Sequence, residues 1–367
     1  MGKREIYVDI LKGWSILTII LLHISYIYNY YTSNLLGLPW SVPIFFIIAG
    51  FFIKESSLSD SKTFIKKKIK SLYIPATTYY LLAVIVHNLF IDIDWYRLGT
   101  VHPGNGIPYF EYGINDLAIR ILKVVFCAGS GELVMGAMWF IYTLLYAMVA
   151  IILLEKILFC RIKRNKNKIR FIILLALQLF SCFLTQKMGL TISRVNVGIT
   201  ALFLIYLGAV IHQKLKIQFN DIFTLAIAII LFVNVILFQI TEVRLADNNY
   251  QDILQLCVGS ISLLYIQGFI ARKLQCSIIG KVLAYLGKNS LHIMALHILG
   301  YMICNSLFIK LGIFTSDSRM GMYTFDINSD MKIYFCYILF GILVPLIVIE
   351  SFRYIKKHVL SWLNFAK

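Results

Sequence analysis

What most constrains this chain is a series of about ten apolar runs, each near bilayer length, spread over its whole course. A hydrocarbon core offers no water to backbone N–H and C=O groups. A spanning run must therefore satisfy them internally as a helix, which takes about 17 to 25 mostly apolar residues. Such runs fall near 13–31, 39–54, 72–91, 136–158, 169–185, 196–212, 222–241, 253–271, 284–309 and 333–353. The second is short and holds Pro39, Pro43 and Gly50, so a kinked or partly re-entrant segment is expected there. The stretch 117–127 is too short and too basic to cross.

With 59% hydrophobic and 14% charged residues and a mean hydropathy of +0.79, an ordinary soluble domain is excluded. The expected fold class is all-α, a polytopic integral membrane bundle of about ten helices, with residues 1–367 forming one membrane domain. The net charge of +17 raises the question of a nucleic-acid partner, but the basic residues cluster where topology wants them. A cytoplasmic N-terminus puts Lys66-Lys67-Lys68-Ile69-Lys70, the run from Arg161 to Arg170 and the tail from Arg353 to Lys367 on the inside. The same topology leaves Glu242, Asp247 and Asp252 outside. Topology and anionic lipid account for the charge, and no nucleic acid is expected.

Lys3 and Arg4 precede the first apolar run as in a secretory signal, but no small-x-small cleavage site follows, so it reads as a mature helix. Cys127, Cys160, Cys182, Cys257, Cys276, Cys304 and Cys336 are scattered singly, which indicates neither a disulfide framework nor a metal site. The longest polar piece, 92–135, mixes Asp94, Trp95, His102, Pro103, Asn105, Glu111, Tyr112 and Glu132. It fits a sugar-binding rim, or equally an interfacial loop with aromatic anchors.

Chemistry points first to His23. An ionisable side chain near mid-bilayer costs about 2.5 kcal/mol or more when charged, which makes it a functional candidate. On one helix, the residues from Lys12 to His23 turn to within about 20° of register and rise roughly 16 Å, so the two share a face, with Asp9 within roughly 40° of it. Asp9 and Lys12 also suit an interfacial ion pair. Glu155 with Lys156, and Glu350 with Arg353, read as interfacial pairs; His87 and His212 fit no motif.

The pattern Arg4, Tyr7, Asp9, Lys12-Gly13 and His23 resembles the first-helix signature of the membrane acyltransferase 3 family, a basic residue, ten residues and a histidine. Pro43 through Phe52 resembles its second-helix element, and the basic run ending at Lys70 with Pro75 resembles its cytoplasmic motif. Met138-Trp139-Phe140, and Tyr285-Leu286-Gly287-Lys288-Asn289-Ser290-Leu291 leading to His297, resemble two later elements. The flavour is that of sugar O-acetyltransferases similar to fucose 4-O-acetylase. Lysines stand where the family usually has arginines in the cytoplasmic motif; they attract phosphate without offering a planar fork.

The resemblance implies a multi-pass cell-membrane enzyme moving an acetyl or other short acyl group from acyl-CoA to a hydroxyl of an envelope polysaccharide or lipid-linked sugar. It implies His23 as general base, with Asp9, Lys12, His297 and Ser290 as further catalytic candidates. Lys66, Lys67, Lys68 and Lys70 become candidates for holding the donor, and Trp139 and Glu132 for the acceptor. Acetyl-CoA is then a co-substrate, and no permanently bound cofactor or metal is expected. For His297 a polar clamp between helices is the competing reading, and for Trp139 plain packing. A transporter for a small solute or glycan precursor is the alternative function. The acceptor sugar, the side of the membrane and the oligomeric state stay open.

Overall fold

Helices begin and end in this chain where caps and prolines dictate. The computed structural model describes residues 5–24, 33–34, 36–54, 58, 60–96, 98–99, 109–126, 129, 131–162, 164–190, 194–241, 243–314 and 331–365. Arg4, His102, Pro103, Asn105, Cys127, Glu242 and Lys367 lie outside these. Among the described residues the chain is helical, with one isolated antiparallel bridge between Arg244 and Asn249.

The helices are α1 (Ile6–Ile24), α2 (Ser41–Gly50), α3 (Ser61–Lys68), α4 (Ile74–Ile85), α5 (His87–Asp92), α6 (Ile114–Val125) and α7 (Trp139–Ile157). Then come α8 (Lys166–Gln186), α9 (Val195–Ala209), α10 (Ile222–Leu237), α11 (Ile253–Leu274), α12 (Ile278–Lys288), α13 (Ser290–Lys310) and α14 (Met331–Phe365). Seven segments among the described residues are long and apolar enough to span a membrane, and α2 and α10 are shorter apolar helices. The chain is thus an all-α, polytopic membrane protein.

Two differences from the sequence expectation have local causes. The run 284–309 is not one helix: α12 stops at Lys288, and Asn289, outside helical geometry at φ −101° and ψ 9°, accepts a hydrogen bond from the Arg353 guanidinium on its side-chain oxygen. The run 72–91 is preceded by a π turn, Ile69–Tyr73, because Pro75 has no N–H for the carbonyl one turn back. Caps fix other starts: Asp60, Asp221 and Asp252 accept from the backbone N–H of Thr63, Thr224 and Gln255.

The chain divides into two compact units. The first holds α1 as far as Leu22, α2, α3 and α7 to α12. Its core depends on close backbone approach. A Cβ on Gly13 would stand 1.8 Å from the carbonyl oxygen of Leu283, and one on Gly287 1.9 Å from that of Asp9. These two glycines of separate sequence motifs thus face each other where α1 crosses α12. Gly208 meets α2 in the same way, its Cβ position 1.8 Å from the Ile47 carbonyl oxygen.

The second unit holds His23 and Ile24 at the end of α1, α4 from Thr77 onward, α5, α6, α13 and α14. Here α13 packs on α14 with Gly300 against the backbone at Phe340. The helix α6 covers most of the stretch too short to span; it exposes Ile114, Ile119 and Leu122 while Val124 is buried, the pattern of an amphipathic surface helix.

Candidate active site

The candidate residues fall into two clusters, one in each unit. In the second, the His23 ring stands 5.0 Å from the His297 ring, edge to face at 60°. His297 is fully buried and His23 half-buried. The His297 Nδ1–H donates to the carbonyl oxygens of Ile293 and Met294, both at 3.0 Å. A carbonyl only accepts, so the proton must sit on Nδ1, and neutral His297 carries its lone pair on Nε2. That Nε2 is buried with no hydrogen bond among the described residues. Leaving a buried acceptor unmade costs about 1–3 kcal/mol, a penalty that a purely structural histidine avoids. Tyr301 meets the other side of the ring at 5.6 Å, backed by Tyr337, whose hydroxyl bonds to Asn305.

In the first unit, one and two turns from the start of α1, Asp9 is buried and Lys12 half-buried. The Lys12 ammonium lies 4.5 Å from the centroid of Phe52, a cation–π contact made at the end of the second-helix motif. Lys68 lies over Phe64 at 5.2 Å. Burial, and then the like charge of Lys12, hold the Lys68 ammonium below the usual lysine range. The other members of the basic run behave differently: Lys66, Lys67 and Lys70 are exposed.

The remaining candidates are dispersed. Ser290 opens α13, seven residues and roughly 10 Å of helix rise from His297, too far to touch its ring. Trp139 has the Arg194 guanidinium 5.5 Å over its ring and Phe140 at its edge, contacts that suit packing. Glu132 is buried, with one oxygen accepting from Tyr112 Oη at 2.8 Å and the other 2.9 Å from His87 Nδ1.

Sequence reasoning set His87 aside, yet it is a hub. Its Nε2–H donates to the Phe110 carbonyl, and its ring stacks on Tyr112 at 3.5 Å. Burial and then Glu132 push the Tyr112 phenol well above its ordinary value, so it stays a donor. His292 likewise meets Tyr79 Oη at 2.8 Å, off the His297 face. Neither pairing had a signal in the chain, because the partners lie 45 and 213 residues away. Glu155 pairs with Lys166 and Arg170, while Glu350 does pair with Arg353 as the sequence suggested.

The described residues hold no group of three or more His, Cys, Asp or Glu side chains fit for a metal ion. The chain matches the family model described as "Acyltransferase domain" over residues 5–365. No curated protein and no solved structure matches it. With a match that runs from the start of α1 to the end of α14, through both units and all five motif elements from Asp9 to His297, the chain belongs to the membrane acyltransferase 3 family and is an acyltransferase.

Proposed function

We propose that the protein transfers an acetyl or other short acyl group from acyl-CoA to a sugar hydroxyl of a cell-envelope polysaccharide or its lipid-linked precursor. One family match through both units supports treating them as a single acyltransferase domain. The observation that carries the chemistry is the edge-to-face His23 and His297 pair, with one tautomer fixed and one acceptor nitrogen without a hydrogen bond among the described residues.

A sugar hydroxyl is a poor nucleophile near neutral pH, and a positioned imidazole is a suitable base for it. His23 takes the hydroxyl proton as the oxygen attacks the thioester carbonyl. The tetrahedral intermediate then collapses, the carbon–sulfur bond breaks, and the departing thiolate recovers that proton from His23. The ester and free CoA leave, and the enzyme is unchanged. His297, neutral with its lone pair on Nε2, is the neighbour able to accept an N–H as His23 becomes cationic. It is a positioning residue on the pattern of the carboxylate behind a catalytic histidine.

Lys12 and Lys68 are the proposed contacts for the donor's phosphates, with Lys66, Lys67 and Lys70 supplying an outer field rather than a fixed contact. Asp9 holds the Lys12 turn of α1. Ser290 is left out of the step by its distance from His297. Glu132 acts through the loop it braces with His87 and Tyr112, and Trp139 through packing. The distribution of lysine and arginine supports a cytoplasmic position for both chain ends.

The test is proton NMR of surface polysaccharide from isogenic cells carrying wild-type protein, His23→Ala or neither. An acetyl signal that appears only with wild type is expected and would name the acceptor sugar. Identical spectra from all three, with both proteins expressed in the membrane, would overturn the glycan reading.

A further inference from the structure

We propose that a cavity among α7, α8 and α9 of the first unit binds an anionic glycerophospholipid from the surrounding leaflet, head group at the helix ends and acyl chain along the apolar wall. The cavity measures about 540 Å³, within the range of about 300–1,000 Å³ usual for ligand sites. Each of its three helices presents the same gradient. Polar lining residues sit at the helix ends, with Glu155 near the end of α7, Asn167 and Lys168 in the first turn of α8, and Gln213 and Lys214 in the π turn that ends α9. The lining turns apolar inward. Leu174 stands roughly 10 Å along the axis from Asn167, Leu202 roughly 16 Å from Gln213, and Ile151 about one turn in from Glu155.

Because α7, α8 and α9 all lie in candidate membrane spans, this gradient runs from the head-group level into the hydrocarbon. Phe171 and Ile172 carry the apolar wall out onto the exposed side of α8, where lipid chains reach it.

Charge selects the head group. Glu155 is the one acidic group among the lining residues, and it is taken up by Arg170 and Lys166. Lys168, Arg170 and Lys214 line the cavity against the single carboxylate of Glu155, so the lining as a whole carries excess positive charge and its polar end favours an anion. The site is also preformed. Tyr206 Oη donates to the Asn167 carbonyl at 3.1 Å, and Gln213 donates to the carbonyl of Ile53, which fastens the ends of α8 and α9 and the segment after α2. A nucleotide or sugar finds little to bond beyond the charged rim, whereas an acyl chain finds about two helical turns of apolar wall.

Native mass spectrometry of the full-length protein in detergent tests this, with phosphatidylglycerol and phosphatidylcholine of identical chains as probes. Retention of phosphatidylglycerol at least tenfold over phosphatidylcholine is expected. The double variant Lys168→Gln/Lys214→Gln should remove that preference, and Val210→Trp, which fills the cavity, should lower binding of both lipids. Equal binding of the two lipids by wild type, or an unchanged preference in the double variant, would overturn the proposal. So would displacement of phosphatidylglycerol by an equimolar polyprenyl phosphate, which would give the cavity to a lipid-linked sugar. The readout is independent of acyl transfer, so failure here leaves the reading of the histidine pair untouched.

Discussion

The two clusters that α1 serves, Lys12 with Lys68 in the first unit and His23 with His297 in the second, treat their polar groups in opposite ways. The lysines lie on aromatic faces and keep charge in a half-buried place, at the cost of mutual repulsion. The histidines form a close ring pair, one of them fully buried, with a tautomer set by backbone carbonyls. A charged, compliant cluster is suited to holding a mobile polyanion. A dry, fixed one is suited to moving a proton, because low dielectric magnifies every dipole aimed at the reacting atoms. One helix thus bears a proposed binding residue and a proposed catalytic residue whose surroundings differ as their proposed tasks do.

The largest effect is expected at the histidine pair. His23→Ala should lower kcat for acyl transfer by about 10³-fold while leaving KM for acetyl-CoA nearly unchanged, within the usual span for a lost general base. A variant that kept its rate would remove His23 from the step. Replacing the neighbour sharpens the point: His297→Ala should cost about 10²-fold, and His297→Gln, which keeps an acceptor, should recover part of it and shift the acid limb of the pH–rate profile. Equal losses in the two variants would make His297 a packing residue only.

Next in size is the crossing that holds the Lys12 turn. Gly287→Val places a methyl-bearing carbon against the Asp9 carbonyl, and overpacking of this kind costs about 3 kcal/mol. Loss of monodisperse protein in detergent is the expected readout; an unchanged melting profile would show that α1 and α12 can separate.

At the binding end the effects are smaller and fall on KM. Lys68→Gln should raise KM for acetyl-CoA about tenfold with kcat retained, the worth of one charge-assisted contact of about 1.5 kcal/mol. Lys66→Gln, at an exposed position, should change it by less than about twofold.

The smallest effect is in pH. The folded protein holds Lys68 below the ordinary lysine value of about 10.4, so over the window between the two the unfolded chain binds more protons. Stability should therefore rise with pH across that window while donor affinity falls, because the anion favours the charged form. In Lys68→Arg the fall in affinity should vanish. Parallel trends in wild type would contradict the assignment.

Sequence alone determined the class of this protein and much of its motif set, because apolar length, charge asymmetry and helical register are properties of consecutive residues. Lys12 and His23 do lie on one helix, the condition on which their shared face rests. What it left open depended on partners distant along the chain. Spacing could place His297 in a span but could not say that its ring meets His23, nor that Nδ1 would be tied to its own backbone while Nε2 finds no hydrogen bond among the described residues. The lysine run looked uniform as a string, and only folding turned Lys68 inward while leaving its neighbours exposed. Gly13 and Gly287 read as two motif letters until the crossing of α1 and α12 showed them to be one contact. His87, matching no motif, became a hub through Glu132 and Tyr112. The physical reason is the same in each case: hydrophobic periodicity fixes which elements form, whereas buried polar contacts arise where several elements converge, and that convergence is written in no single stretch of the chain.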